Sequence, residues 1–128
     1  LNPDTGKLLL EEGARRLRRN LSEAGVPASG VEEYVGVLGT PPAMEAALAW
    51  YRTQEGLRAS LGPIKVPTLY LWGDADATVG RAAAEGTAAQ VEAPFRFVQL
   101  PGIGHFITDQ VPGRVNELLL AHLRAHPA

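Results

Sequence analysis

The chain has 128 residues, a formal net charge of −2 and 45% hydrophobic residues, which suits one globular domain with a modest core. Its Lys and Arg residues form no basic stripe, so we expect neither a nucleic-acid partner nor binding to an anionic membrane surface. No apolar run approaches the roughly 20 residues that span a bilayer, and no secretory signal opens the chain, so a cytoplasmic location is expected. The absence of cysteine excludes disulfides and thiol catalysis, while a start at Leu1 suggests a processed chain or a fragment.

The first half of the chain is predicted to be helical. Apolar residues at helical spacing predict an amphipathic helix over residues 6–19. Ser29 is the expected N-cap of a second helix that ends at Leu38. Thr40 is the expected N-cap of a third helix that continues toward Leu57.

The pattern changes after residue 62. A run of apolar and β-forming residues over 66–72 predicts a strand that is buried on both faces. An Ala-rich helix is predicted over 81–91 and a second strand over 95–100. A closing helix is predicted over 111–125, with one apolar face formed by Val115, Leu118, Leu119 and Leu123. The order strand, helix, strand, helix predicts an α/β fold with parallel strands. Two strands are too few for a covered sheet, so we expect further strands from a preceding segment, another chain or self-association.

Two loops that follow the predicted strands carry reactive groups. The first contains Asp74 and Asp76, and the second contains His105. In open α/β sheets, functional groups collect beyond the carboxyl ends of the strands. A carboxylate that accepts the Nδ1 hydrogen of an imidazole fixes its tautomer and leaves Nε2 free to take a proton. The loops therefore predict an acid and a histidine that act together.

These two loops resemble a known pair of sequence blocks. Trp72-Gly-Asp-Ala-Asp, followed about thirty residues later by Gly-Ile-Gly-His-Phe106, is similar to the acid and histidine blocks of the α/β-hydrolase superfamily. The resemblance implies that residues 62–128 are the C-terminal part of an α/β-hydrolase core. It places the acid at Asp76, with Asp74 as a turn former or the alternative acid, and the general base at His105.

The third predicted helix resembles another part of the same superfamily. The segment Pro41 to Arg52 is similar to the last cap-domain helix of epoxide hydrolases and related dehalogenases, which implies that residues 1–61 are a helical cap. Carried over, Tyr51 donates a hydrogen bond to an epoxide oxygen, and Trp50 lines the substrate site. The alternative is that this aromatic pair packs in a core.

The chain departs from the superfamily at the nucleophile. It contains no Gly-x-Ser-x-Gly elbow or Asp-bearing variant, and Ser22, Ser29 and Ser60 lie in helical or linker contexts. We therefore expect the nucleophile-bearing half to be absent and this chain alone to be inactive. The leading hypothesis is a fragment of an epoxide hydrolase-like enzyme for small apolar substrates, completed by an N-terminal half in cis or trans. A haloalkane or haloacetate dehalogenase, a serine esterase and a lactonase are the alternatives within enzymes.

A second hypothesis belongs to another class of protein. An unpaired sheet edge favours a noncatalytic module that binds a partner or a second copy of itself. No cofactor is expected. Metal catalysis is less favoured, because a metal would need more ligands than His105 beside Asp74 and Asp76. The closing helix places His122 and His126 at the surface with no expected partner.

Overall fold

The computed structural model of the chain describes residues 2, 4–52 and 62–127. The chain divides into two compact units, Leu1–Leu61 and Gly62–Ala128. The assignment of the first as a cap and the second as a hydrolase core stays a prediction. Ser60 and the predicted extension of the third helix to Leu57 lie outside the described residues.

The first unit contains three helices. They are α1 (Thr5–Glu23), α2 (Ala28–Leu38) and α3 (Pro41–Arg52). Each helix contacts the other two, because apolar residues at helical spacing give each a face to bury. The buried apolar residues of the unit are Ala14, Leu17, Leu21, Val26, Val31, Met44 and Leu48.

Helix α1 is interrupted, so the prediction of an unbroken helix over residues 6–19 was wrong at one point. The backbone is not helical from Glu11 to Ala14, and φ is positive at Glu12, Gly13 and Ala14. Glycine adopts this left-handed conformation without a Cβ penalty, whereas Glu12 and Ala14 do not. Helical periodicity does not register such a local break, because the apolar pattern continues through it.

Helix α2 begins earlier than predicted. Its N-cap is Pro27, whose carbonyl accepts the Val31 N–H at 3.0 Å, so Ser29 lies inside the first turn instead of capping it. Pro27 keeps its restricted φ of −58° with an extended ψ of 153°, which is the backbone conformation typical of an N-cap.

The second unit is an α/β arrangement around two parallel strands, as predicted. The elements in chain order are β1 (Thr68–Gly73), α4 (Arg81–Gly86), a 3₁₀ turn (Thr87–Gln90), β2 (Phe95–Leu100), α5 (Ile107–Gln110) and α6 (Pro112–Ala125). In the parallel register, Thr68 lies opposite Phe95 and Gly73 opposite Leu100. The two loops with reactive groups therefore leave the same edge of the sheet.

The bounds of three elements in this unit differ from the predicted ones. Helix α6 begins at Pro112, one residue later than predicted. Strand β1 begins at Thr68 instead of Val66, because Pro67 lacks an N–H group for the ladder. The predicted helix over 81–91 is α-helical only to Gly86, a residue of low helix propensity, and then tightens into the 3₁₀ turn.

Fewer residues of the second unit are buried than predicted. The strand residues 68–71 are half-buried, and only the last two residues of β1 are buried. Helix α6 buries Val115 and Leu118, whereas Leu119 and Leu123 are exposed. Only part of the predicted apolar face of α6 is therefore buried.

Candidate active site

The loop that follows β1 is built around the carboxylate of Asp76. Asp76 Oδ1 accepts the backbone N–H groups of Thr78 at 2.7 Å and Val79 at 3.0 Å. The indole N–H of the buried Trp72 donates to the Val79 carbonyl at 2.8 Å. An aspartate that accepts N–H groups two and three residues ahead forms a stable local turn. One oxygen of Asp76 is therefore fixed by the backbone, and the other is left for a further partner.

That further partner is His105. The Nδ1 atom of His105 lies 2.9 Å from Asp76 Oδ2. The Asp76 side chain is 6% exposed and the His105 side chain is 42% exposed. A carboxylate at Nδ1 holds the hydrogen on that nitrogen and leaves Nε2 available as a proton acceptor. The pair can therefore act as a general base whose orienting acid is shielded from water.

Two opposing effects set the pKa of Asp76. Burial by itself raises the pKa of this carboxyl group, and the hydrogen bonds from His105, Val79 and Thr78 lower it. The hydrogen bonds prevail, so the pKa lies below its ordinary value of 3.8. Asp76 is ionised at neutral pH, as an acceptor for the imidazole must be.

The loop that carries His105 is fixed on both sides of that residue. The turn before it contains Gly102, at a φ of +70°. The Gly104 N–H donates to the side-chain oxygen of Gln110 at 3.1 Å, and the His105 carbonyl accepts the Ile107 N–H at 3.1 Å. These contacts hold the backbone of His105 between the turn and helix α5.

The two loops continue the pairing of the strands beyond the strand ends. The Ala75 N–H donates to the Ile103 carbonyl at 3.0 Å, so the backbones stay in contact past Gly73. A Cβ atom on Gly73 would collide with the Ile103 carbonyl oxygen and lie 2.6 Å from the Gly104 oxygen. Only glycine at residue 73 permits this approach, which carries His105 to Asp76.

Asp74, the alternative acid, binds other partners. Its Oδ1 accepts the Gly102 N–H at 2.6 Å, and its Oδ2 accepts the side-chain amide of Gln99 at 2.8 Å. The Gly102 hydrogen bond first, and the Gln99 hydrogen bond second, lower the pKa of Asp74. The carboxylate that contacts His105 is therefore Asp76.

The structural roles of Trp72, Gly73 and Gln99 were not predicted from the sequence, although Trp72 and Gly73 belong to the acid block. Gln99 offered a signal, because it is a polar residue near the carboxyl end of an otherwise largely apolar strand. For Gly73 the acid block gave the position but not the steric reason for it, since glycine after a strand also occurs in ordinary turns.

The predicted substrate-binding residues belong to the first unit. Trp50 and Tyr51 lie in the last turn of α3 and are 66% and 65% exposed. Burial in a core, the alternative, does not describe these side chains. Their role toward a substrate stays a prediction.

The surface histidines differ in part from the prediction. His122 does have a partner, because its Nε2 lies 3.3 Å from the Pro67 carbonyl oxygen, and its ring is 4.8 Å from that of His126. The expectation of no partner was therefore wrong for His122, and the ring contact gives His126 a partner as well. Within residues 2, 4–52 and 62–127, no three His, Cys, Asp or Glu side chains come together in a way that could hold a metal ion.

The serines that the structure describes offer no nucleophile elbow. Ser22 lies in α1 and Ser29 in α2, so neither follows a strand. Across the same described ranges, no helix has the length and apolar character needed to cross a membrane.

Comparison with known proteins finds similarity to two epoxide hydrolases. The chain is 30% identical over 109 residues to epoxide hydrolase A of Mycobacterium tuberculosis, a match that covers 78% of this chain and 34% of that protein. It is also 30% identical over 95 residues to epoxide hydrolase 3 of Xenopus tropicalis, which covers 73% of this chain and 26% of that protein. No protein-family model matches the chain.

Solved structures show the same fold. An epoxide hydrolase from Bacillus megaterium aligns with a TM-score of 0.72 at 18% identity, over 95% of this chain and 48% of that one. A thermophilic esterase from Thermogutta terrifontis aligns with a TM-score of 0.66 at 23% identity, over 94% of this chain and 47% of that one. The chain thus spans between about a quarter and a half of the length of these relatives. It is a partial α/β-hydrolase of the epoxide hydrolase-like type, and the predicted fold class is confirmed.

Proposed function

We propose that this chain supplies the general base and the orienting acid of an epoxide hydrolase-like enzyme that works through a covalent intermediate. The observation that carries the proposal is the 2.9 Å contact between His105 Nδ1 and Asp76 Oδ2. The ionised, shielded carboxylate stabilises the imidazolium that forms when Nε2 takes a proton. The similarity to two named epoxide hydrolases supports an oxirane as the reacting group.

In the proposed reaction, an aspartate of the nucleophile-bearing half attacks a carbon of the epoxide and becomes an ester of the product alcohol. Tyr51 donates a hydrogen bond to the epoxide oxygen as the ring C–O bond breaks and negative charge develops there, and this oxygen then takes a proton from solvent to become a hydroxyl group. Trp50 contacts the apolar part of the substrate. Each role uses a neutral side chain that is exposed on α3.

His105 then acts on water. As the water oxygen attacks the carbonyl carbon of the ester, one water proton passes to His105 Nε2. The ester C–O bond breaks and the alcohol leaves with that proton. The second water proton is released from the new carboxyl group to solvent, which balances the proton taken up on ring opening and restores the nucleophile as a carboxylate. General base catalysis of this kind contributes about 10² to 10⁴ in rate.

The decisive experiment compares His105→Ala with wild type and with His122→Ala. It uses the longer natural polypeptide that includes this chain, or this chain mixed with the nucleophile-bearing half of a relative. With a small apolar epoxide, His105→Ala is expected to lower turnover at least about 100-fold and to accumulate a covalent adduct of the substrate's mass. The His122→Ala protein is expected to match wild type.

Other outcomes select the alternatives. Turnover of an ester in place of the epoxide would favour the serine esterase or lactonase alternative, and halide release would favour a dehalogenase. The absence of both turnover and adduct with all three substrate classes would contradict the enzymatic proposal. The noncatalytic binding or self-association module would then take its place.

A further inference from the structure

We infer that Asp74 is a positioning residue, which holds the loop of His105 in place so that the imidazole meets Asp76. The inference rests on the proposed function, because the position of His105 matters for catalysis only if His105 is the base. It concerns a carboxylate that does not itself contact the imidazole.

Through its two carboxylate oxygens, Asp74 links the loop after β1 to strand β2 and to the turn that follows β2. The Gly102 N–H donates to Oδ1 at 2.6 Å, and the Gln99 amide donates to Oδ2 at 2.8 Å. Because both donors are neutral and the acceptor is charged, each hydrogen bond is stronger than a bond between neutral groups.

The contact continues from Gln99 to the helix on the other side of the loop. The side-chain oxygen of Gln99 accepts a hydrogen bond from Arg81 Nη1 at 3.2 Å. The guanidinium carbon of Arg81 lies 5.2 Å from the centroid of the Trp72 ring. We call the four residues Gly102, Asp74, Gln99 and Arg81 the brace.

The contacts of the brace continue through Trp72 and Val79 to the loop that carries Asp76. Trp72, which Arg81 covers, donates its indole N–H to Val79, and the Val79 N–H donates to Asp76. The same set of contacts therefore reaches the carboxylate that binds His105. Because these contacts form one connected network, they restrict the loops more than the same number of separate contacts would.

Loss of the Asp74 carboxylate would release the turn before His105. Gly102 has a positive φ and lies three positions before His105, so its N–H fixes where the following residues begin. Without the Asp74 acceptor, the Gly102 N–H forms a hydrogen bond with solvent water. The loop then samples positions in which His105 Nδ1 is too far from Asp76 for a hydrogen bond. The expected result is a partial loss of the Asp76–His105 hydrogen bond in a folded protein.

The test reads that hydrogen bond directly by NMR of ¹⁵N-labelled histidine. The background is His122→Gln with His126→Gln, which leaves His105 as the one imidazole of the sequence. In this background, neutral His105 is expected to carry its hydrogen on Nδ1. Asp74→Ala is expected to shift the tautomer toward Nε2–H and to speed exchange of the Nδ1 hydrogen with water about tenfold.

Two further variants give the controls. Asp74→Asn keeps an oxygen that can accept the Gly102 N–H, so it is expected to restore most of the Nδ1–H tautomer. Glu117→Ala, which removes an exposed carboxylate paired with Arg114 on α6, is expected to leave the signal unchanged. Circular dichroism and the amide spectrum establish that each variant is folded.

A folded Asp74→Ala protein with the wild-type tautomer and exchange rate would overturn the inference. If Asp74→Ala does not fold, Gln99→Leu decides, because it removes one arm of the brace and should shift the tautomer in the same direction by a smaller amount. A wild-type signal from Gln99→Leu would then overturn the inference. The NMR result does not depend on turnover, so failure of the positioning role and failure of the proposed function are separate outcomes.

Discussion

His105 and Asp76 lie 29 positions apart in the sequence, yet the imidazole Nδ1 and the carboxylate Oδ2 are 2.9 Å apart. The acid is shielded and anchored to the backbone, whereas the His105 side chain is 42% exposed. This difference separates two tasks, because a shielded carboxylate orients its partner strongly and an open Nε2 can reach a water molecule.

Substitution Asp76→Asn is expected to lower stability by about 1–3 kcal/mol. The change weakens charge-assisted hydrogen bonds to Thr78, Val79 and His105, and the amide NH₂ cannot replace the lost acceptor. Urea unfolding measures the difference. Glu117→Gln, an exposed residue of α6, serves as the control and should change stability by less than about 0.5 kcal/mol. Equal stabilities of the two variants would contradict the assigned contacts.

Substitution Gly73→Ala is expected to destabilise the second unit by about 2–4 kcal/mol. The added Cβ meets the carbonyl groups of Ile103 and Gly104, which are backbone atoms that cannot move aside alone. Gly113→Ala is the matched control, because a Cβ there meets nothing within 4 Å and the residue lies in α6. Because Gly113 is the second residue of α6 and not in its interior, the control should change stability by less than about 1 kcal/mol. Thermal unfolding of both variants distinguishes a steric clash from a general effect of adding a methyl group.

The two tryptophans are expected to respond differently to replacement by phenylalanine. Trp72→Phe removes the indole N–H that the Val79 carbonyl accepts, in a side chain that is 4% exposed, and should cost about 1–3 kcal/mol. Trp50→Phe alters an exposed side chain and should stay within about 0.5 kcal/mol. Denaturant unfolding followed by circular dichroism is suitable, since both changes remove fluorescence. A larger effect at Trp50 would place that residue in a core that the structure does not show.

Helix α6 provides a test of its buried stripe. Leu118→Ala should cost about 2–5 kcal/mol, because it opens a cavity at a residue that is 3% exposed. Leu123→Ala, at an exposed position of the same helix, should cost less than about 1 kcal/mol. The comparison holds residue type and helix constant, so similar losses would show that a surface outside the described residues covers Leu123.

Acid is expected to destabilise the protein through Asp74 and Asp76. The folded-state pKa of each is lowered, so the unfolded chain binds protons at a higher pH than the folded chain does. The stabilisation is therefore complete above the unfolded-state pKa of about 3.9 and is lost as pH falls through the folded-state values. The urea concentration at the unfolding midpoint, measured from pH 6 downward, should begin to decrease at about pH 4. The decrease should be less steep in Asp74→Asn and Asp76→Asn. An unchanged slope in both variants would refute the assignment.

Local sequence pattern determined much of the second unit. Strand β2 occupies the predicted residues, and the order of strands and helices gave the parallel pairing, because short-range propensity and the right-handed crossover restrict the choices. The loops that carry Asp76 and His105 were found in the same way, since carboxyl ends of parallel strands share one edge. What roles these two residues have stays a prediction that the proposed experiments address.

The tertiary structure decided the features that depend on contacts between distant residues. The local break in α1 and the exposure of Leu123 do not follow from helical periodicity, which describes a face but not what covers it. The sequence alone left both Asp74 and Asp76 as candidates for the acid. Their separate partners, Gly102 and His105, come within hydrogen-bonding distance only when β1 and β2 pair in one register and Gly73 lets the two loops touch.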